Sequence, residues 1–181
     1  MEENKKIYNL FEEINNKLKI ESEEIKKLDA YSGDFFTLKK YDIKQIGNEY
    51  KLTEDIPQKN SAIYIFYSES GVQTIGNTFN NVKYGAKSND NVKRTKAPYK
   101  YIYLGKSFAI KTRIKEHLSS GDSSPYSLKY NHKNRQNVLK ETKLYIFELR
   151  KDYESYKEII LSTVETNLHK SCQPIIGSKR V

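Results

Sequence analysis

The sequence predicts an α/β (α+β) fold in which a small, mainly antiparallel central sheet of three strands is flanked by helices. Three runs of apolar and aromatic residues have the length of a strand, at 61–67, 101–104 and 144–149. Two stretches repeat apolar residues at helical spacing, at 110–118 and about 153–171. In 181 residues there is no uncharged run able to span a bilayer, so one soluble domain with an appended segment is expected.

The first sixty residues are predicted to form a helical and hairpin extension, outside a core domain at 61–181. Between residues 4 and 28 apolar side chains recur every three or four positions amid alternating Glu and Lys. This pattern indicates a helix or helix pair that packs on the core or on a second subunit. Residues 35–46 and 50–52 have the character of short strands, and Gly47-Asn48 between them is a hairpin signal.

The core is predicted to start with the strand SAIYIFY at 61–67, which has Tyr64 at its middle. Its apolar residues are consecutive, which is typical of an interior strand. Residues 71–98 then change to Gly, Asn, Ser, Thr and Lys, and predict a long insertion between the first two core strands. A DNA-contacting arm and a solvated loop would both have this composition.

A strand, a tight turn and a helix are predicted for 101–118. Gly105 marks the turn, and after it apolar residues recur every four positions on one helical face. Arg113 and His117 are four residues apart, so they lie together on a neighbouring face. Both would lie within a turn of Lys106, and the three groups would converge on one anion.

The last third of the chain is predicted to supply a strand at 144–149 and a final helix at about 153–171. Pro174 ends that helix, and Glu165 lies beside its buried row. The intervening stretch 126–142 is polar and basic with a weak helical pattern.

The net charge of +9 is unevenly distributed along the chain. Residues 1–60 hold 11 Lys or Arg against 13 Asp or Glu, whereas residues 61–181 hold 21 against 10. Such an imbalance favours a polyanionic partner, although a merely solvated basic surface has the same composition. Fifteen tyrosines, many beside Lys or Arg, would stack bases or simply lie half-buried in strands. The basic residues predicted to contact DNA are Lys83, Lys87, Lys93, Arg94, Lys96, Lys129, Lys133, Arg135, Lys179 and Arg180.

Cys172 is the single cysteine, so no internal disulfide is possible. A reducing, cytoplasmic location is the simplest expectation, and an inert buried thiol is a plainer role than a nucleophile. The N-terminus has early acidic residues and no apolar stretch of the kind that directs secretion.

Two strand tyrosines, an arginine and a histidine one turn apart, and a carboxylate on a later helix form an ordered set that resembles the GIY-YIG nuclease motif. AIY at 62–64 stands where GIY belongs, and YLG at 103–105 stands where YIG belongs. Arg113 lies ten residues after the second tyrosine and His117 four further on. Glu165 precedes a proline by nine residues, as the metal-binding glutamate of the family does.

The resemblance covers about residues 61–177, and the chain departs from the family pattern in three ways. Ala62 replaces the first glycine, a conservative change because the position needs a small residue. Near forty residues separate the two half-motifs, instead of a short hairpin. The asparagine common after the family's Glu and Pro falls at Gly177, so its role has no candidate. The ending PIIGSKR is similar to the termini of some restriction enzymes of the family, which favours an active member.

What the resemblance implies is a divalent-metal-dependent DNA endonuclease. Hydrolysis of a phosphodiester needs an in-line water, compensation of charge on phosphorus and help for the leaving oxygen. Glu165 would hold one Mg2+ or Mn2+ ion per active site, and Arg113 would grip a non-bridging phosphate oxygen.

Tyr64 would orient or deprotonate the attacking water, with Tyr103 as its hydrogen-bonding partner. A phenol is a poor base at neutral pH, so Lys106 or His117 would have to lower the cost of the phenolate. Each residue also has a plainer explanation when taken singly. The tyrosines would be core residues, His117 would complement the helix dipole, and Arg113 would pair with Glu116 or Glu165.

The function expected from the resemblance is that of a sequence-specific type II restriction endonuclease acting on double-stranded DNA. One such site cuts one strand, so a homodimer, or a dimer formed on DNA, is expected. The N-terminal helix would form the interface, and 71–98 and 126–142 would read the groove. The alternatives are a structure-selective repair or homing-type endonuclease and a non-catalytic nucleic-acid-binding module of the same fold.

Overall fold

The computed structural model describes residues 35–56, 60–72, 99–120, 127–131, 142–172 and 174–176. In chain order the elements are β1 (Phe36–Ile46), β2 (Glu49–Leu52), β3 (Ala62–Val72), β4 (Tyr99–Ser107), α1 (Ile110–Leu118), β5 (Thr142–Leu149), a 3₁₀ helix (Lys151–Tyr156) and α2 (Lys157–Cys172). The described part of the chain is therefore an α+β fold. None of its helices is long and apolar enough to cross a membrane.

The sheet has five antiparallel strands in the order β2-β1-β5-β3-β4, where the sequence predicted three. The two additional strands are the β1–β2 hairpin, which turns at Gly47 with a φ of 64°. β1 pairs with β5 from Phe36 opposite Leu149 to Asp42 opposite Lys143. This pairing satisfies the backbone groups of β5 that a three-stranded sheet would leave at an open edge.

The hairpin therefore belongs to the same sheet as the predicted core domain, and the expected boundary at residue 60 runs through a continuous structure. Tyr41 and Ile43 of β1 pack in one cluster with Tyr64 and Ile114. The helix predicted at 4–28 and nearly all of the predicted insertion lie outside the described residues. β3 itself continues to Val72, two residues into the range predicted as insertion.

Each face of the sheet carries one described helix. On β3, Ala62, Tyr64 and Phe66 point to the face that α1 covers. The alternate residues Ile63, Ile65 and Tyr67 point to the face that α2 covers. Because both faces are buried, the strand has apolar residues at consecutive positions, as the sequence indicated.

The turn between β4 and α1 lies at residues 107–109 and not at Gly105, so this prediction is wrong. Gly105 is inside β4 and pairs with Tyr64. The Ser107 hydroxyl accepts a hydrogen bond from the Ala109 backbone N–H at 3.1 Å, which closes the turn. The helix itself is confirmed at Ile110–Leu118.

The final helix is confirmed, but its first turns are a 3₁₀ helix. Tyr156, at the end of that 3₁₀ helix, is half exposed because the 3.6-residue period does not apply there. After α2 the chain returns to the outer edge of β4. The Ile175 and Ile176 N–H groups donate to the carbonyls of Tyr101 and Ile102, at 3.2 and 3.0 Å.

Candidate active site

Four of the predicted site residues meet on the α1 face of the sheet: Tyr64, Tyr103, Arg113 and His117. The Tyr64 and Tyr103 rings are stacked with centroids 5.9 Å apart, and the His117 ring lies edge-on to both. Arg113 donates from Nε to the Tyr64 hydroxyl at 3.2 Å and from a terminal nitrogen to the Tyr103 hydroxyl at 3.5 Å. Strand β3 and the consecutive elements β4 and α1 thus form one hydrogen-bonded cluster.

A β-bulge at Ile102 aims Tyr103 into this cluster. Phe66 pairs with Tyr103 and Tyr67 pairs with Tyr101, so Ile102 is the extra residue on β4. Without the bulge, Tyr101 and Tyr103 would point to the same face, because strand residues two apart do so. With it, Tyr101 packs on the α2 face and Tyr103 on the α1 face. Bulges commonly re-aim a side chain next to a functional site.

Gly105 lies on the edge strand β4, and its lack of a side chain leaves the space that the Tyr64 ring occupies. A Cβ at this position would lie 2.7 Å from the Tyr64 hydroxyl oxygen and 3.1 Å from the Tyr103 ring. Any side chain would therefore displace the hydroxyl that Arg113 contacts. The glycine is required here for close approach, and not for a turn.

The hydrogen bonds of His117 determine its tautomer. The Leu128 backbone N–H donates to Nδ1 at 2.9 Å, and a backbone amide can only donate, so Nδ1 carries no proton. In the neutral ring the proton is then on Nε2, which lies 2.9 Å from the Tyr64 hydroxyl oxygen and donates to it. The Tyr64 oxygen thus receives N–H groups from both His117 and Arg113.

Burial sets the protonation states of the cluster. It raises the pKa of Tyr64 well above 10, with a further contribution from Tyr103, and the opposing charge of Arg113 does not reverse this. Burial and the charge of Arg113 both lower the pKa of His117 well below 6.5. Burial acts to lower the pKa of Arg113, but the phenolic oxygens of Tyr64 and Tyr103 and the Glu116 carboxylate raise it overall. At neutral pH the cluster is a neutral phenol, a neutral imidazole and a guanidinium.

These states change the expected role of Tyr64. Two N–H donors fill the acceptor positions of its oxygen, so the phenol uses its own proton as a donor, and its partner in the cluster is the Tyr103 hydroxyl. Tyr64 can therefore help to orient a water or a phosphate oxygen through Tyr103, whereas deprotonating water would need the phenolate that burial disfavours. His117 is neutral, so it would not stabilise a Tyr64 phenolate by its charge. The cation that contacts Tyr64 is Arg113.

Arg113 also has an acidic partner, Glu116. In the sequence analysis, an ion pair with Glu116 was one of the plainer alternatives to a role of Arg113 in phosphate binding. The NH1 nitrogen of Arg113 lies 2.6 Å from a Glu116 carboxylate oxygen, and the two side chains are 20% and 35% exposed. Tyr64, Tyr103 and His117 are all less than 10% exposed. The guanidinium is therefore the part of the cluster that meets solvent.

Lys106 and Glu165 lie together on the other face of the sheet, beside α2. The Lys106 ammonium lies 2.5 Å from the Ser162 hydroxyl and 3.9 Å from the nearer Glu165 carboxylate oxygen. Glu165 is 2% exposed. The expectation that Lys106 converges with Arg113 and His117 on one anion is thus wrong, because its position on β4 points it away from them.

Glu165 and Ser162 offer hard oxygen atoms, which are the donors that Mg2+ prefers. The buried carboxylate already has a cation beside it, the Lys106 ammonium. The donor chemistry therefore fits one divalent ion in place of Lys106, with its other ligands supplied by water and phosphate. Within the described ranges no three His, Cys, Asp or Glu side chains are grouped so as to share an ion. In that part of the chain the ion would thus rely on Glu165 as its acidic ligand.

Lys129 is the one residue of the predicted DNA-contacting set that falls in the described ranges, and it is 0% exposed. A buried ammonium cannot reach a phosphate, so the prediction is wrong for this residue. The remaining members of the set lie outside the described residues, as does Gly177: Lys83, Lys87, Lys93, Arg94, Lys96, Lys133, Arg135, Lys179 and Arg180.

Three contributors to the site were not found from the sequence: the bulge at Ile102, the Leu128 N–H and the Ser162 hydroxyl. The first two act through the backbone, which leaves no side-chain signal. Ser162 lies one turn before Glu165 on α2, and that spacing was the one available signal. Compared with models of protein families, with curated proteins and with solved structures, the chain shows no match.

Proposed function

We propose that this protein is a divalent-metal-dependent DNA endonuclease that resembles the GIY-YIG nucleases, and that it acts as a sequence-specific restriction enzyme. One observation carries the proposal. The N–H groups of Arg113 and His117 converge on the hydroxyl of Tyr64, beside Tyr103. These four residues were selected from the sequence by their order and spacing, and a set of unrelated core residues would have no reason to share one hydrogen-bonded cluster.

In this proposal Arg113 binds a non-bridging phosphate oxygen and releases Glu116 when it does so. Its guanidinium keeps its charge while Nε stays on Tyr64. Tyr64 donates its hydroxyl proton to Tyr103, and the pair of hydroxyls orients the attacking water or the phosphate and so fixes the line of attack. Glu165 would hold the metal ion, which when bound supplies Lewis-acid polarisation of the phosphoryl group.

The basic surplus of residues 61–181 supports double-stranded DNA as the partner. One site cuts one strand, so the proposal includes a homodimer, or a dimer formed on DNA. It also includes a cytoplasmic location, where the enzyme would encounter such DNA. A stable monomer that makes concerted double-strand breaks would contradict the dimer.

The test is cleavage of varied plasmid DNA with Mg2+ by the full chain and by the Glu165→Gln variant. We expect discrete fragments from the wild type, and from the variant no cleavage but nearly normal DNA binding. Glu158→Gln is the matched control, because Glu158 is an exposed glutamate on the same helix. Full cleavage by Glu165→Gln would contradict the metal assignment. Incision of branched DNA alone would indicate a repair nuclease instead.

A non-catalytic nucleic-acid-binding module is the second candidate, and it is favoured because the cluster is buried and its arginine already has a partner. Tyr64 and His117 are 1% and 0% exposed, and Arg113 is already paired with Glu116. Binding that survives EDTA, without cutting of any of the DNA substrates, would support this candidate over the nuclease.

A further inference from the structure

Residues 127–131 run beside the C-terminal end of α1 and hold His117 from two sides. The Leu128 N–H donates to the imidazole Nδ1 at 2.9 Å, and the Tyr130 N–H donates to the His117 backbone carbonyl at 2.7 Å. Lys129, between them, has a φ of 50°, which non-glycine residues seldom adopt. Such a conformation persists only where the surrounding contacts impose it, so the segment must be anchored.

Asn131 is the anchor that the structure provides. Its Oδ1 accepts the Tyr50 N–H at 2.5 Å, and its Nδ2 donates to the Tyr50 carbonyl at 2.9 Å and to the Leu118 carbonyl at 2.6 Å. One side-chain amide thus joins β2 to the end of α1. The Tyr50 and Tyr130 rings pack with centroids 5.3 Å apart and close the same junction.

We propose that Asn131 is a positioning residue that fixes the tautomer of His117. By tying 127–131 to both β2 and α1, it keeps the Leu128 N–H on Nδ1, and the His117 proton therefore stays on Nε2, directed at Tyr64. The consequence for cleavage depends on the proposed nuclease function, whereas the tautomer itself does not.

The hydrogen bond from the Leu128 N–H holds the His117 ring in one tautomer. If the Leu128 N–H moved away, Nδ1 would no longer need to be an acceptor, and the neutral ring would exchange between its two tautomers. In the Nδ1–H form, Nε2 would accept the Tyr64 proton. Tyr64 would then lose the hydrogen bond that it donates to the Tyr103 hydroxyl, and with it the arrangement of the two phenols that orients water or phosphate.

The variant that tests this is Asn131→Asp, in which the acceptor for the Tyr50 N–H remains and the two donated hydrogen bonds are lost. Gln45→Glu is the matched control, because Gln45 is an exposed amide on the hairpin that Asn131 contacts, and its Nε2 donates to the nearby Gly47 carbonyl. Both changes add one negative charge. The measurement is the 15N shift of the two His117 ring nitrogens in protein labelled at histidine, assigned with a His117→Gln variant.

In the wild type and in Gln45→Glu we expect one protonated nitrogen, Nε2, and one unprotonated nitrogen, Nδ1. In Asn131→Asp the two shifts should move toward each other as the tautomers mix. Unchanged His117 shifts in a folded Asn131→Asp protein would overturn the proposal, as would a protonated Nδ1 in the wild type. Should Asn131→Asp not fold, Asn131→Gln carries the same test, because it keeps the amide but displaces it by one methylene.

Cleavage kinetics then separate this proposal from the proposed function. With an active enzyme, Asn131→Asp should lower kcat on the order of 100-fold with little change in KM, because a catalytic group is misplaced while DNA contacts remain. An inactive wild type that still has the Nε2–H tautomer, lost in Asn131→Asp, would refute the nuclease and support the positioning role.

Discussion

The two faces of strand β4 carry polar clusters of opposite character. On the α1 face, Tyr64 and its partners form a hydrogen-bonded group that is buried, aromatic and neutral except for Arg113. On the α2 face, a buried carboxylate and an ammonium form a charge pair beside a serine hydroxyl. The first cluster depends on tautomer and hydrogen-bond direction, and the second depends on charge.

The two clusters are connected through consecutive residues of one edge strand. Gly105 backs Tyr64 on one face, and Lys106, the next residue, contacts Glu165 beside the other. A phosphodiester that used both clusters would have to lie at this edge, because the sheet separates them everywhere else. We therefore expect substitutions on the α1 face to act by altering the geometry of the cluster, whereas substitutions of charged groups should act by altering DNA binding.

Gly105→Ala should have the largest effect, because it breaks the α1-face cluster at its tightest contact. The new Cβ would lie 2.7 Å from the Tyr64 hydroxyl and force the ring from Arg113 and His117. We expect cleavage to fall by about 100-fold or more and the free energy of unfolding by about 1 to 3 kcal/mol. Plasmid cleavage and urea unfolding measure the two.

Gly47→Ala is the control for that substitution. Its Cβ would meet nothing within 4 Å, but the φ of 64° makes a side chain costly by about 1 to 2 kcal/mol. Stability should therefore fall while cleavage is kept. Normal cleavage by a folded Gly105→Ala protein would mean that the position of Tyr64 is unimportant.

Arg113→Lys should have the next largest effect, and it asks whether charge alone is sufficient on the α1 face. A lysine keeps the charge but cannot donate to the Tyr64 and Tyr103 hydroxyls from a planar fork. Loss of one charge-assisted hydrogen bond costs about 1.5 to 3 kcal/mol, so kcat should fall by about 10- to 100-fold. Arg150→Lys, at an exposed arginine, is the control and should cleave normally.

The pH dependence of stability tests whether His117 is buried in its neutral form. Its pKa is lowered well below 6.5 by burial and Arg113, so below about pH 6.5 the unfolded chain binds a proton that the folded protein does not. The stability that this neutral group contributes is present above that pH and is lost as the pH falls. The slope approaches about 1.4 kcal/mol per pH unit for this one group.

Urea unfolding between pH 7 and pH 5 measures that slope, and His117→Gln should remove this share of it. If the wild type and the variant had the same pH dependence, His117 would not be a buried neutral group, and it would not have the single Nε2–H tautomer.

Glu116→Gln should have the smallest effect, and it sharpens the contrast by changing charge without geometry. The Arg113–Glu116 pair is partly exposed and screened, so it is worth up to about 1 kcal/mol. Freed of this competitor, Arg113 should bind DNA up to about fivefold more tightly, and the free energy of unfolding should fall by no more than about 1 kcal/mol. Titration of labelled DNA measures it, against Glu158→Gln as a variant of equal charge. Weaker binding by Glu116→Gln than by that control would contradict the proposed exchange of Glu116 for phosphate.

The elements of the core were predictable where periodicity and burial agree. The interior strand β3, with apolar residues on both faces, and α1, with its row at Ile110 and Ile114, follow from pattern alone. The β1–β2 hairpin was also predicted, but its pairing with β5 was not, because antiparallel pairing between distant strands leaves no local signal. The wrong prediction of a turn at Gly105 has a related cause, because the sequence does not distinguish a glycine inside a strand from a glycine at a turn.

The sequence by itself determined the candidate residues and the element that holds each: two tyrosines on strands, and an arginine, a histidine and a glutamate on helices. Only the tertiary structure decided which of them meet. The bulge at Ile102 turned Tyr103 toward Tyr64, the Leu128 N–H chose the His117 tautomer, and the sheet divided Lys106 and Glu165 from the rest. These outcomes depend on backbone register and on contacts between distant segments, which local spacing does not encode.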